Sequence, residues 1–129
     1  MSKLIVCLFL LLILCNCGKI FEISNTMTNK YEFEVKKGEE FALKFESNPS
    51  TGFSWHFLNL DEVNDSLELL RTSFEGPNDP KIRGKGGYMY FHFKAIEVTK
   101  EAKQLQFSYY RSTNSNSALY KQVVKINVF

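Results

Sequence analysis

Apolar and polar side chains alternate with a period of two along most of this chain. Over residues 40–46, Phe41, Leu43 and Phe45 fall on one face, and over 53–58 Phe53, Trp55 and Phe57 do the same. Such alternation on both sides of a turn cluster predicts two strands joined by a loop. The pattern recurs over residues 20–23, 31–35, 67–74, 88–96, 105–109 and 120–129. In 88–96, Met89, Phe91 and Phe93 share one face and Tyr88, Tyr90 and His92 the other. In the last segment Val124, Ile126 and Val128 share a face. Polar or glycine-rich clusters separate the segments, at 26–30, 36–39, 59–66, 75–87, 99–103 and 111–117. About seven to eight short strands between turn signals predict an all-β fold, a β-sandwich. The 59–66 stretch, with Asp61, Glu62 and Asp65, reads as a solvated acidic loop with room for a helical turn, because charged side chains are normally exposed.

The most specific connection is Asn48-Pro49-Ser50-Thr51-Gly52, followed by Phe53-Ser54-Trp55. Pro49 restricts its own φ and pushes Asn48 towards extended backbone. Gly52 accepts a positive φ at little cost. Ser50 and Thr51 then stand at the tip, with small side chains and backbone groups expected to be free. A stiff, narrow, uncharged tip suits insertion into a narrow cleft, because little ordering entropy is lost on binding. The same residue types are also the usual turn formers, so the pentapeptide alone fits a purely structural turn equally well.

Composition narrows the field. The chain has 129 residues, enough for one domain with a real core. Its net charge of +2 is too small to argue for nucleic acid. Residues 4–14 form an unbroken apolar run after Lys3, too short to span a bilayer and suited to the core of a signal peptide. A leader over 1–17 is therefore expected, with cleavage after Cys17 and a folded domain over 18–129. A lipid anchor on Cys15 or Cys17 is the weaker alternative, since Leu14 and Asn16 stand where a small residue is wanted. All three cysteines, Cys7, Cys15 and Cys17, lie in that leader. The mature domain must then fold without disulfides, and it has neither a thiol nucleophile nor a cysteine-based metal site. His56 and His92 sit within strand patterns and are expected to face solvent. No nucleophile, base and orienter come together in the pattern. Gly84-Lys85-Gly86-Gly87 leads into a strand with no Ser or Thr after the lysine, so it is no phosphate loop.

Asn48 to Trp55 resembles the signature loop of the chagasin family, protein inhibitors of papain-like cysteine peptidases. The family pattern is Asn-Pro-Thr-Thr-Gly, an aromatic, and a Trp two residues on. A second family mark, Gly-x-Gly-Gly ahead of a strand, is matched by Gly84, Gly86 and Gly87 with Lys85 between them. A third, Arg-Pro-Trp or a close variant opening the last loop, is matched only by Arg111. Ser112 and Thr113 stand where the proline and the aromatic would be, a departure that bears on loop stiffness and contact area. Tyr110 is the nearest aromatic to compensate.

The resemblance covers nearly all of 20–129 and implies an immunoglobulin-like β-sandwich. It implies a reversible, tight-binding inhibitor with three loops at one end forming a wedge. Asn48, Pro49, Ser50, Thr51 and Gly52 would enter the active-site cleft of the peptidase. Gly84, Lys85, Gly86 and Gly87 would lie along one side, offering accessible backbone, and Arg111 would brace the other. A monomer with no cofactor, no metal, no nucleic-acid partner and no membrane contact after leader removal is expected, in the secretory pathway, secreted or in lysosome-like vesicles. The alternative is a secreted immunoglobulin-like adhesion or ligand-binding module using the same loops.

Overall fold

The computed structural model describes residues 18–24, 31–76 and 86–129. The expected leader, the polar connection over 26–30 and most of the 75–87 loop, Gly84 and Lys85 included, lie outside the described residues. Within them the chain forms eight strands: β1 (Lys19–Ile23), β2 (Tyr31–Val35), β3 (Glu40–Ser47), β4 (Phe53–Phe57), β5 (Leu67–Glu75), β6 (Gly87–Ala95), β7 (Lys103–Arg111) and β8 (Tyr120–Val128). Each falls where the alternation predicts it, with ends displaced by a residue or two.

The strands make two four-stranded sheets, β1-β3-β6-β5 and β2-β8-β7-β4. β1 runs parallel to β3 and β2 parallel to β8, and the other neighbours are antiparallel. The result is an immunoglobulin-like sandwich. One sheet contributes Phe41, Leu43, Phe45, Phe91 and Phe93 to its interior. The other contributes Val35, Trp55, Leu105, Phe107, Val124, Ile126 and Val128, and all are buried. Rings meet across the sheets: Phe45 lies 4.6 Å from Trp55 and 4.7 Å from Phe107, and Phe91 lies 5.0 Å from Phe107. These separations are in the range where aromatic pairs attract beyond their area of contact.

The acidic stretch after β4 corrects the sequence reading in part. Asp61, Glu62 and Asp65 are exposed as expected, and Leu60–Val63 forms the short helical turn. Asn59, Val63 and Ser66, however, are buried. The Asn59 amide takes the place of a strand: its Nδ2 donates to Gln104 O at 2.7 Å, and its Oδ1 accepts from Gln106 N–H at 2.8 Å. β4 has ended, and β7 would otherwise carry unpaired backbone groups beside the core.

Both histidines lie on outward faces. His56 Nε2 is 3.1 Å from Ser54 Oγ, and its ring stacks on Tyr110 at 3.8 Å. His92 Nε2 is 2.9 Å from Ser73 Oγ. Desolvation, and then the charge of Arg71, hold the His92 imidazole below its ordinary range, with Glu40 opposing.

Two outcomes are expected. Phe45→Ala should lower unfolding free energy by about 3–5 kcal/mol, whereas Val123→Ala, on an exposed position of β8, should stay within about 0.5 kcal/mol; urea denaturation reads both. The second concerns pH. The folded-state pKa of His92 lies below the unfolded value of 6.5, so the unfolded chain takes up the proton first as pH falls. The contribution of His92 is intact above that value and is lost as pH falls below it. The urea midpoint should therefore drop between pH 7 and pH 5, and His92→Gln should make the drop smaller.

Candidate functional site

Three connections emerge at one end of the sandwich: β3 to β4, β5 to β6 and β7 to β8. The register places them together. Ser47 at the end of β3 pairs with Gly87 at the start of β6, and Tyr88 pairs with Glu75 at the end of β5. Phe53 at the start of β4 pairs with Arg111 at the end of β7, and Tyr109 pairs with Tyr120 at the start of β8.

In the first connection Pro49–Thr51 forms one 3-10 turn. Thr51 N–H donates to Asn48 O at 3.2 Å and Gly52 N–H to Pro49 O at 3.0 Å. The Thr51 hydroxyl donates to Asn48 O at 2.6 Å, and the Ser50 hydroxyl donates to Asn48 Oδ1. Gly52 closes the turn at φ +83°, a conformation a β-carbon would strain. The expectation of free backbone groups at the tip is thus corrected in part, at the Thr51 N–H. The N–H groups of Thr51 and Gly52 are used inside the turn, because a 3-10 turn pairs them with carbonyls three residues back. Pro49, Ser50 and Thr51 are all exposed, as is Gly52.

The turn is held at its base by the opposite sheet. Trp55 is buried, and its Nε1–H donates to Glu46 O at 2.9 Å. Tyr109 is also buried, and its hydroxyl accepts from Asn48 N–H at 3.1 Å. Buried indole and phenol groups need polar partners, and here the partners are the two backbone groups flanking Ser47. The Tyr109 ring lies 5.2 Å from Trp55 and 5.5 Å from Phe53, so clamp and core are continuous.

The second connection bears on the first through glycines. A β-carbon at Gly86 would sit 2.9 Å from Ser47 O and 3.2 Å from Asn48 Cβ. At Gly87 it would sit 2.1 Å from Glu75 O. Gly87, expected to offer accessible backbone, is the buried first residue of β6. Its missing side chain lets β5 close on β6 and places Gly86 directly against the base of the first loop.

Arg111, exposed at the end of β7, lies alongside this loop. Its guanidinium sits 4.9 Å above the Phe53 ring, an attractive cation–π arrangement. The β7–β8 connection beyond it is ordered without a proline. Asn114 N–H donates to Arg111 O at 2.9 Å, Arg111 N–H to Ser117 Oγ at 3.0 Å, and the Ser117 hydroxyl to Asn114 O at 2.6 Å. Asn116 N–H donates to Asn114 Oδ1 at 3.0 Å, and Leu119 N–H to Tyr109 O at 2.9 Å. Tyr110 does not fill in for the missing tip aromatic, because its ring is stacked on His56 on the outer face of the sheet.

Between the first and third loops lies an open hollow of about 360 Å³, lined by Asn48, Thr51, Phe53, Tyr109, Leu119 and Tyr120 among others. The structure therefore brings Asn48–Gly52, Gly86, Gly87 and Arg111 to one end. Sequence reasoning did not single out Tyr109, Asn114, Ser117 or Leu119. Only Tyr109 carried a usable signal: it sits on the inward face of its strand, where its hydroxyl must find a partner. Among the described residues no group of three or more His, Cys, Asp or Glu could hold a metal ion.

Comparison with known proteins matches residues 34–128 to the family described as Chagasin family peptidase inhibitor I42. Chagasin from Trypanosoma cruzi is 31% identical over 75 residues, covering 57% of this chain and 67% of that protein. Among solved structures, the cysteine protease inhibitor EhICP2 from Entamoeba histolytica superposes with a TM-score of 0.69 at 14% identity, covering 87% of this chain and 97% of the other. Amebosin gives a TM-score of 0.55 at 24% identity, over 88% and 100%. PbICP-C, solved in complex with falcipain-2, gives 0.59 at 17%, over 87% and 100%. At these identities the structural likenesses show the fold.

The clamp and the glycines each have a measurable consequence. Tyr109→Phe should cost about 0.5–1.5 kcal/mol and speed hydrogen exchange at the Asn48 amide, read by NMR. Gly86→Ala should destabilise by about 1–3 kcal/mol through displacement of the Ser47–Asn48 backbone, and Gly87→Ala by more, in chemical denaturation.

Proposed function

The chain belongs to the chagasin family of peptidase inhibitors, and on that premise we propose how it works as an inhibitor of papain-like cysteine peptidases. The turn Asn48–Gly52 enters the active-site cleft, with Ser50 and Thr51 leading, and covers the catalytic cysteine and histidine of the enzyme. Gly86 and the loop that includes Gly84 and Lys85 lie along one side of the cleft. Arg111 and its loop brace the other. Gly87 acts from beneath, by letting Gly86 press on the first loop. Inhibition is by occlusion, and no covalent step is required. The proposed partner class agrees with the falcipain-2 complex of PbICP-C, and family membership sets aside the adhesion module. Members of the family are inhibitors and not enzymes.

The observation that carries this reading is the turn itself, closed by its own hydrogen bonds and held at its base by Trp55 and Tyr109. A tip ordered before contact loses little entropy on binding. A turn folded on itself is also not an extended strand, so it is poorly presented for cleavage. We further propose that residues 1–17 are removed on export, and that the domain works in the secretory pathway, secreted or in lysosome-like vesicles. The apolar run over 4–14 and the confinement of all cysteines to this segment support that reading.

Titration of papain and of a cathepsin L-like enzyme with the 18–129 protein, read on a fluorogenic peptide, should give tight, stoichiometric inhibition. Thr51→Arg, or deletion of Ser50 and Thr51, should weaken inhibition by about a hundredfold or more in a domain that still folds cooperatively. Survival of inhibition in either variant would sink the wedge.

A further inference from the structure

Leu119 is the large apolar side chain most out of place at the loop end. It is 56% exposed, although a leucine at the foot of a loop has a core within reach. It is not there through looseness: its N–H donates to Tyr109 O at 2.9 Å, so its backbone is tied to the strand that also clamps Asn48. Leu119 lines the hollow between the first and third loops together with Thr51 and Phe53. The other walls include the rings of Tyr109 and Tyr120, 5.9 Å apart and stacked. Glu46, Ser47, Asn48 and Gly86 complete the lining, so the hollow has a polar floor and an apolar side made of Phe53, Tyr109, Tyr120 and Leu119, and carbon placed against that side is favourably buried.

We propose that this hollow is a receiving subsite of the inhibitor: it takes one apolar side chain from the rim of the target peptidase's cleft, and Leu119 is the residue that closes over it. The proposal rests on the wedge reading above and adds to it. Thr51 belongs to both the inserted turn and the wall of the hollow, so a protein that receives the turn brings its own surface to the mouth of the hollow. The two contacts are then continuous, and contact runs in both directions: the turn enters the enzyme, and the enzyme's rim enters the inhibitor. Leu119 thereby becomes a specificity-determining residue. Peptidases with an aliphatic or aromatic residue at that point of the rim are favoured over those with a neutral polar residue, because Leu119, Tyr109 and Tyr120 offer carbon to be buried.

The test uses the 18–129 protein with papain and a cathepsin L-like enzyme, comparing wild type, Leu119→Asp, Leu119→Ser and Thr51→Arg. Because Leu119 is exposed and is held through its backbone, the two Leu119 variants should melt with wild type. Leu119→Asp is expected to raise the inhibition constant about tenfold or more against at least one enzyme. Leu119→Ser, which adds no charge, should raise it in the same direction and by less, with the change mainly in the dissociation rate. Wild-type inhibition that Thr51→Arg abolishes and both Leu119 variants leave within twofold against both enzymes would overturn the subsite and leave the wedge standing. A folded wild type that inhibits neither enzyme would overturn both.

Discussion

The indole N–H of Trp55 donates to the carbonyl of Glu46 across the gap between two sheets, and the rest of the loop end is arranged around that bond. The ring beneath it fills the space between Phe45 and Tyr109, at 4.6 and 5.2 Å. One residue thus packs the end of the core and fixes the last turn of β3. Tyr109 repeats the device two residues further on, at Asn48. None of the described residues is a cysteine, so the sandwich relies on packing and on such polar ties to keep its open end from fraying. A buried polar group that finds its partner specifies one geometry, while the same group without a partner would destabilise the fold.

That economy explains how a loop can be both exposed and rigid. Pro49, Ser50 and Thr51 face solvent and make few contacts outward, yet each end of the turn is held from below and its interior is closed by short hydrogen bonds. Rigidity comes from the foot of the loop and chemistry from its tip. An inhibitor that acts by filling a cleft needs this division, because any order supplied at the moment of binding is subtracted from affinity.

The third loop reaches the same end by different means. A proline would restrict the chain through its ring. Here Asn114 and Ser117 do so through side-chain hydrogen bonds to nearby backbone, the local pairing that Asn and Ser make readily. The polar tract over 111–117 is a compact turn. The side chains of Asn114 and Ser117 are spent on it, and the large apolar groups beside it are the exposed Leu119 and the Phe53 ring under Arg111.

Much of the architecture was determined by sequence alone. A period of two is a direct imprint of a half-buried strand, so all eight strands were legible, and with them the inward faces of several, from Phe41, Leu43 and Phe45 to Val124, Ile126 and Val128. The Asn48–Gly52 turn was legible too, because proline and glycine act on their own backbone. Tertiary structure alone decided what depends on distant partners. Asn59 reads as a solvated loop residue until β7 comes beside it. Gly86 and Gly87 read as permissive loop glycines until Ser47 and Glu75 arrive within contact of the positions their side chains would occupy. Tyr109 and Asn48 are bonded across 61 positions of chain. Local conformation is written in neighbouring residues, whereas close approach and hydrogen bonding between sheets exist only once the chain has folded back on itself.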